Sequence, residues 1–154
     1  MNINDAEILA WGLLEKHGLH NWWFRFDYAK RRFGSGDYRK RTRTLSKYLT
    51  ELNSRREVRD TVLHEIAHAL TPGDNHGLRW QQKCRELGAK PMRCYELEEV
   101  KQPEPKYMLI CPRCHMKYPR YRKSKGTYVC HRCCNKHNGG KASQAYRLYW
   151  LELS

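Results

Sequence analysis

The sequence predicts an α+β protein: helices with a short antiparallel sheet, then a small β-rich module built around cysteines. Three observations predict it. Apolar residues recur at helical spacing around positions 58–70. An aromatic run near residue 22 and a glycine-rich stretch near residue 34 mark strands and a turn. Cys111-Pro112-Arg113-Cys114 is followed after fifteen residues by Cys130-His131-Arg132-Cys133.

Residues 3–17 read as an amphipathic helix, with Asn4 or Asp5 as cap and Gly18 as stop. Trp22-Trp23-Phe24-Arg25-Phe26-Asp27-Tyr28 reads as a strand. Gly34-Ser35-Gly36-Asp37 reads as a turn, and residues 38–45 as the second strand of a hairpin. Residues 46–52 read as a strand end followed by helix. Val58, Val62, Leu63, Ile66, Ala67, Ala69 and Leu70 form the apolar face of the next helix, with Asn53 or Ser54 as cap. Thr71-Pro72-Gly73 stops it, because proline cannot continue a helix. A further helix covers residues 77–87 and ends at Gly88-Ala89-Lys90-Pro91. Cys84 falls on its apolar side, and Cys94 has no partner in this scheme.

The expected organisation is a first domain over residues 1–95, a linker over 96–106 and a cysteine module over 107–154. The linker carries glutamates before Val100 and Pro103 and Pro105 after it. Asn138-Gly139-Gly140 reads as a turn, and residues 146–150 as a final strand.

The chemistry-bearing motif is His64-Glu65-Ile66-Ala67-His68. On a helix, positions i and i+4 share a face, so both imidazoles can grip one zinc ion. Glu65 projects beside them as a general base for a water on that zinc. After the turn at Pro72, His76 is favoured as third ligand, with Glu86 as the alternative. Thr71 and Asp74 stand where a metzincin needs Gly and His, which excludes that class. Cys111, Cys114, Cys130 and Cys133 form a zinc-ribbon signature, and four thiolates make that zinc structural. Cys134 is the alternative to Cys133; the two-residue spacing favours Cys133. His115 and His131 read as exposed. Two zinc ions are therefore expected, one catalytic and one structural.

The formal net charge is +14. Residues 1–104 hold 19 basic and 15 acidic residues; residues 105–154 hold 11 basic and one acidic. The excess in the last third implies a polyanionic partner. Lys117, Arg120, Arg122, Lys123 and Lys125 alternate with Tyr118, Tyr121 and Tyr128, a pattern suited to phosphates and unpaired bases. A second basic group joins Lys30, Arg31 and Arg32 to Arg39, Lys40, Arg41 and Arg43. No apolar run approaches eighteen residues, and residues 1–7 lack the layout of a signal peptide. A reducing, cytoplasmic location is expected, with the cysteines as metal ligands or buried thiols.

His64-Glu65-Ile66-Ala67-His68 followed by His76-Gly77-Leu78-Arg79-Trp80, with Leu87-Gly88 and the CPxC…CxxC ribbon, resembles the SprT-like family in its bacterial form. The resemblance implies a small zincin-like metalloprotease domain, zinc on His64, His68 and His76, and Glu65 as the catalytic residue. It also implies cleavage of proteins bound or crosslinked to DNA, in keeping with nucleic-acid contacts by Lys117, Arg120, Tyr121, Arg122, Lys123 and Lys125. The chain would then act as a nucleoid-associated monomer in DNA repair. The tail after Cys134 is longer than the resemblance implies. The competing reading is a non-catalytic, zinc-containing DNA-binding adaptor.

Overall fold

The structure is a computed structural model, and it describes residues 1–93 and 100–153. Cys94 and the first part of the expected linker lie outside the described residues. The chain divides into two compact units, Met1–Pro103 and Glu104–Ser154. The division falls inside the stretch expected as a linker. Its position has a physical cause. Val100 is buried in the core of the first unit, and the Asn53 amide exchanges two 2.8 Å hydrogen bonds with the backbone of Lys101. Residues 100–103 are therefore fastened to the first unit.

In the first unit, helix α1 (Ile3–Lys16) is capped by Asn2, whose side chain accepts from Asn4 N at 2.8 Å. The cap thus lies upstream of the expected Asn4 or Asp5. Three strands follow: β1 (Trp23–Asp27), β2 (Gly34–Asp37) and β3 (Thr42–Ser46). Their order is β1-β3-β2, with β1 parallel and β2 antiparallel to β3. The hairpin is therefore β2–β3, and the sheet is mixed. Gly34-Ser35-Gly36-Asp37, expected as a turn, is its edge strand. The reason is local. Gly34 and Gly36 share one face of the strand, and a side chain on either would strike Glu65 or Arg43. The turn itself is residues 38–41, where Arg41 takes a positive φ of 45°.

Ser46 caps the short helix α2 (Lys47–Leu52), its hydroxyl accepting from Leu49 N at 3.2 Å. Helix α3 (Arg55–Leu70) starts at Ser54, whose N–H donates to Glu57 Oε2 at 3.0 Å, half of a capping box. Its buried face meets Ala6, Ala10, Leu13 and Leu14 of α1 and the sheet residues Phe24 and Leu45. Helix α4 (Leu78–Leu87) packs against α3 through the fully buried Trp80 and Cys84 and ends at Gly88 in the left-handed region.

The second unit is a three-stranded antiparallel sheet in the order β5-β4-β6, formed by β4 (Tyr107–Ile110), β5 (Lys117–Arg120) and β6 (Tyr149–Glu152). Helix α5 (His131–His137) sits between β5 and β6 in sequence. The long tail therefore has a structural job: β6 pairs along the whole of β4 and completes the sheet. Leu109, Cys111, Cys130, Cys133, Cys134, Tyr146 and Leu148 form its core. Among the described residues, no helix is long and apolar enough to cross a membrane.

Candidate metal centre

Helical geometry places His64 and His68 one turn apart near the end of α3, with ring centroids 5.0 Å apart. Thr71 closes the helix, its hydroxyl donating to Ala67 O at 2.7 Å. Gly73 (φ 80°) and Asn75 (φ 51°) then reverse the chain. The Asp74 carboxylate accepts from Trp80 N at 2.8 Å, which fixes the start of α4 relative to the turn. This reversal carries His76 back onto α3, and His68 Nε2 lies 3.1 Å from His76 Nε2. Ligand atoms of all three histidines lie within 4.8 Å of one another. Two nitrogens on a tetrahedral zinc stand about 3.4 Å apart, so the donor spacing fits that ion. Glu86, the alternative ligand, is exposed and paired with Lys83.

Trp80 is the floor of this cluster. Its ring lies 4.8, 5.1 and 4.6 Å from the rings of His64, His68 and His76 and is stacked on that of His68. Sequence spacing places Trp80 on α4 but does not show that it touches all three imidazoles. Burial favours the neutral ring, bringing His64 to about 3 and His68 to about 4, with neighbouring rings and Arg43 adding to the effect. Neutral imidazoles are the form that binds metal.

Glu65, next to His64 on α3, is buried and lines the same cleft as the three histidines. Burial pushes its carboxyl up to about 7, against the opposing pull of Arg43. A carboxylate poised near neutrality is well matched to general-base work. Arg43 Nη1 donates to Glu65 Oε2 at 3.3 Å. Arg43 is itself buried, so it leaves the basic surface group in which the sequence placed it. A cleft beside the cluster is lined by Gly34, Ser35, Gly36 and Tyr38 together with His64, Glu65, His68 and His76.

In the second unit, Cys111, Cys114, Cys130 and Cys133 bring four sulfurs within 4.8 Å of one another. Cys111 Sγ is 3.8 Å from Cys133 Sγ, and Cys114 Sγ is 3.5 Å from Cys130 Sγ. Sulfurs around a tetrahedral zinc stand about 3.8 Å apart, so this set also fits. Burial and the sulfurs of Cys114, Cys111 and Cys130 push the Cys133 thiol up, because the group cannot ionise together without a cation. Cys134 is buried in the core and stands outside the four-sulfur group. His115 and His131 are exposed.

Lys117 and Arg120 lie on β5, and Arg122, Lys123 and Lys125 are exposed in the loop after it, which Tyr121 opens. Tyr118 turns inward, its hydroxyl 3.5 Å from Cys130 Sγ. The aromatic group on this unit is instead Tyr107, Trp150 and Tyr128, packed edge to face at 6.1 and 6.0 Å, with Arg120 over Tyr128. Tyr107 and Trp150 escaped the sequence reading because they lie far apart in the chain and meet only across strand pairing.

Together these features define one α+β unit that carries an HExxH-type histidine centre and a second unit that is a four-cysteine ribbon. The sequence profile of the SprT-like family matches residues 13–102, more than half of the chain, and the chain belongs to that family. Comparison with curated proteins gave no match. Among solved structures, the crystal structure of the metallopeptidase zymogen of Pyrococcus abyssi abylysin is similar. It has a TM-score of 0.46 and 18% identity over 53% of this chain and 77% of that one.

Proposed function

We propose that this protein is a zinc-dependent endopeptidase acting on proteins held on or crosslinked to DNA. The observation that carries the reading is the contrast between its two centres. Among the described residues the histidine cluster has three members, whereas the ribbon has four sulfurs. Three protein ligands leave a position for chemistry; four close the shell. SprT-like membership supports the same assignment.

When bound by His64, His68 and His76, zinc supplies a Lewis acid that polarises a carbonyl and acidifies water. The chain's own residues do the rest. Glu65 accepts the proton of the attacking water and returns it to the leaving amine. Among the described residues β2 pairs only with β3 and lines the cleft, so its outer backbone edge can pair with an extended peptide.

The DNA part rests on charge. Eleven basic residues against one acid over residues 105–154 favour a phosphate backbone, with Tyr107, Tyr128 and Trp150 available to bases. Tethering the protease to DNA raises the local concentration of bound protein, so location selects the substrate. Such a protein would work at the nucleoid. The triple change Arg122→Gln, Lys123→Gln and Lys125→Gln is expected to weaken binding to a single-stranded oligonucleotide. The slope of log affinity against log salt should fall by about 2, at roughly 0.7 per lost contact. Fluorescence anisotropy across a salt series measures it; an unchanged slope and affinity would count against this surface.

A further inference from the structure

The buried contact between Arg43 and Glu65 has a shape that stability alone does not explain. Arg43 comes from β3 and is 4% exposed. Its Nη1 reaches Glu65 Oε2 at 3.3 Å, while Nε and Nη2 find no hydrogen-bond partner. The one hydrogen bond of this guanidinium among the described residues therefore goes to Glu65. Its faces are covered by rings: Cζ lies 4.7 Å from the Trp22 ring and 4.9 Å from the Tyr38 ring. A buried ion pair is weak support for stability, since desolvation offsets most of the attraction. Orientation is the better account of a guanidinium devoted to one carboxylate.

The surrounding strand is fitted to this pair. A Cβ on Gly36 would lie 1.6 Å from Arg43 Nη1, and one on Gly34 would lie 2.9 Å from both Cγ and Oε1 of Glu65. The two glycines of β2 thus leave space for the two members of the pair. The Tyr38 hydroxyl donates to the carbonyl of His68, tying the same hairpin to the helix that carries Glu65. Arg43 holds Oε2 and leaves Oε1 beside Gly34, on the lining of the cleft.

We infer that Arg43 is a positioning residue, clamped by Trp22 and Tyr38 and admitted by Gly36, that fixes the Glu65 carboxylate for proton transfer. The inference rests on the hydrolase reading above. It is tested on the zinc-loaded full chain with a peptide substrate. Arg43→Met is expected to lower kcat by about 10–100-fold, the usual cost of losing a group that orients a reacting one. KM and zinc content should stay within about twofold of wild type. Arg43→Lys keeps the charge without the planar fork and should recover part of the loss. Gly36→Ala retains both charged groups but displaces the guanidinium, and should lower kcat in the same way. It also decides the matter if Arg43→Met fails to fold. Wild-type kcat in folded Gly36→Ala or Arg43→Met overturns the inference, as does a loss confined to KM or one that follows zinc content. The hydrolase reading fails elsewhere, in equal cleavage by wild type and Glu65→Gln, and that result removes the positioning role with it.

Discussion

Glu65→Gln is expected to lower kcat by about 10³-fold while zinc stays in place. General-base catalysis contributes roughly 10²–10⁴-fold, and glutamine of the same shape cannot take the proton. The histidine donors do not depend on Glu65: they are held by the turn at Gly73 and by the floor of Trp80. The substitution should also be mild for the fold. The Glu65 carboxyl is already pushed up to about 7 by burial, so its charged form is costly where it sits. A glutamine oxygen can still accept from Arg43 Nη1. Peptide cleavage and metal analysis on the same preparation check both halves. Wild-type kcat in a zinc-loaded Glu65→Gln protein would refute the role of Glu65. Loss of zinc would refute the independence of the donor set.

The second large effect concerns the ribbon. Cys111→Ser, or zinc removal by a chelator, is expected to unfold Glu104–Ser154 and leave Met1–Pro103 folded. Three of the seven buried residues in the ribbon core, Cys111, Cys130 and Cys133, are zinc ligands, so the apolar packing left without the metal is small. Structural zinc sites in small peptides contribute on the order of 10 kcal/mol, more than a unit of this size could otherwise supply. Hydrogen exchange reads it directly. Amides of Tyr107–Ile110, paired on both sides with β5 and β6, should lose protection while those of Arg55–Leu70 keep it. A ribbon that stays protected without zinc would show that its sheet folds on packing alone.

Much of this was legible in the sequence, for identifiable reasons. His64, His68, Cys111, Cys114, Cys130 and Cys133 were legible because helix periodicity and short ligand spacings translate directly into geometry. His76 was within reach because Pro72 forces a turn close to the first two ligands. The sheet was harder. Glycine at positions 34 and 36 signals a turn by propensity, yet here it makes room for Glu65 and Arg43 in an edge strand. That need arises from the opposite helix and leaves only the alternation Gly-x-Gly as a trace. Arg43 was hidden for the same reason: within a run of basic residues it looks solvated, and only tertiary contact shows that it faces a carboxylate. The parallel pairing of β1 with β3 likewise depends on which strands share the core, a non-local choice that short-range pattern does not encode.

The central claim is that hydrolysis occurs at the histidine centre and nowhere else. Zinc titration of the chelator-stripped full chain, with peptide cleavage followed in parallel, tests it most directly. Wild type should take up two equivalents, one for each donor set, and cleave once the histidine set is filled. His68→Ala should fill the ribbon alone, take up one equivalent and stay inactive. Cleavage by His68→Ala at the wild-type rate, or a wild type that holds two equivalents and cleaves no protein with or without DNA, would contradict the account.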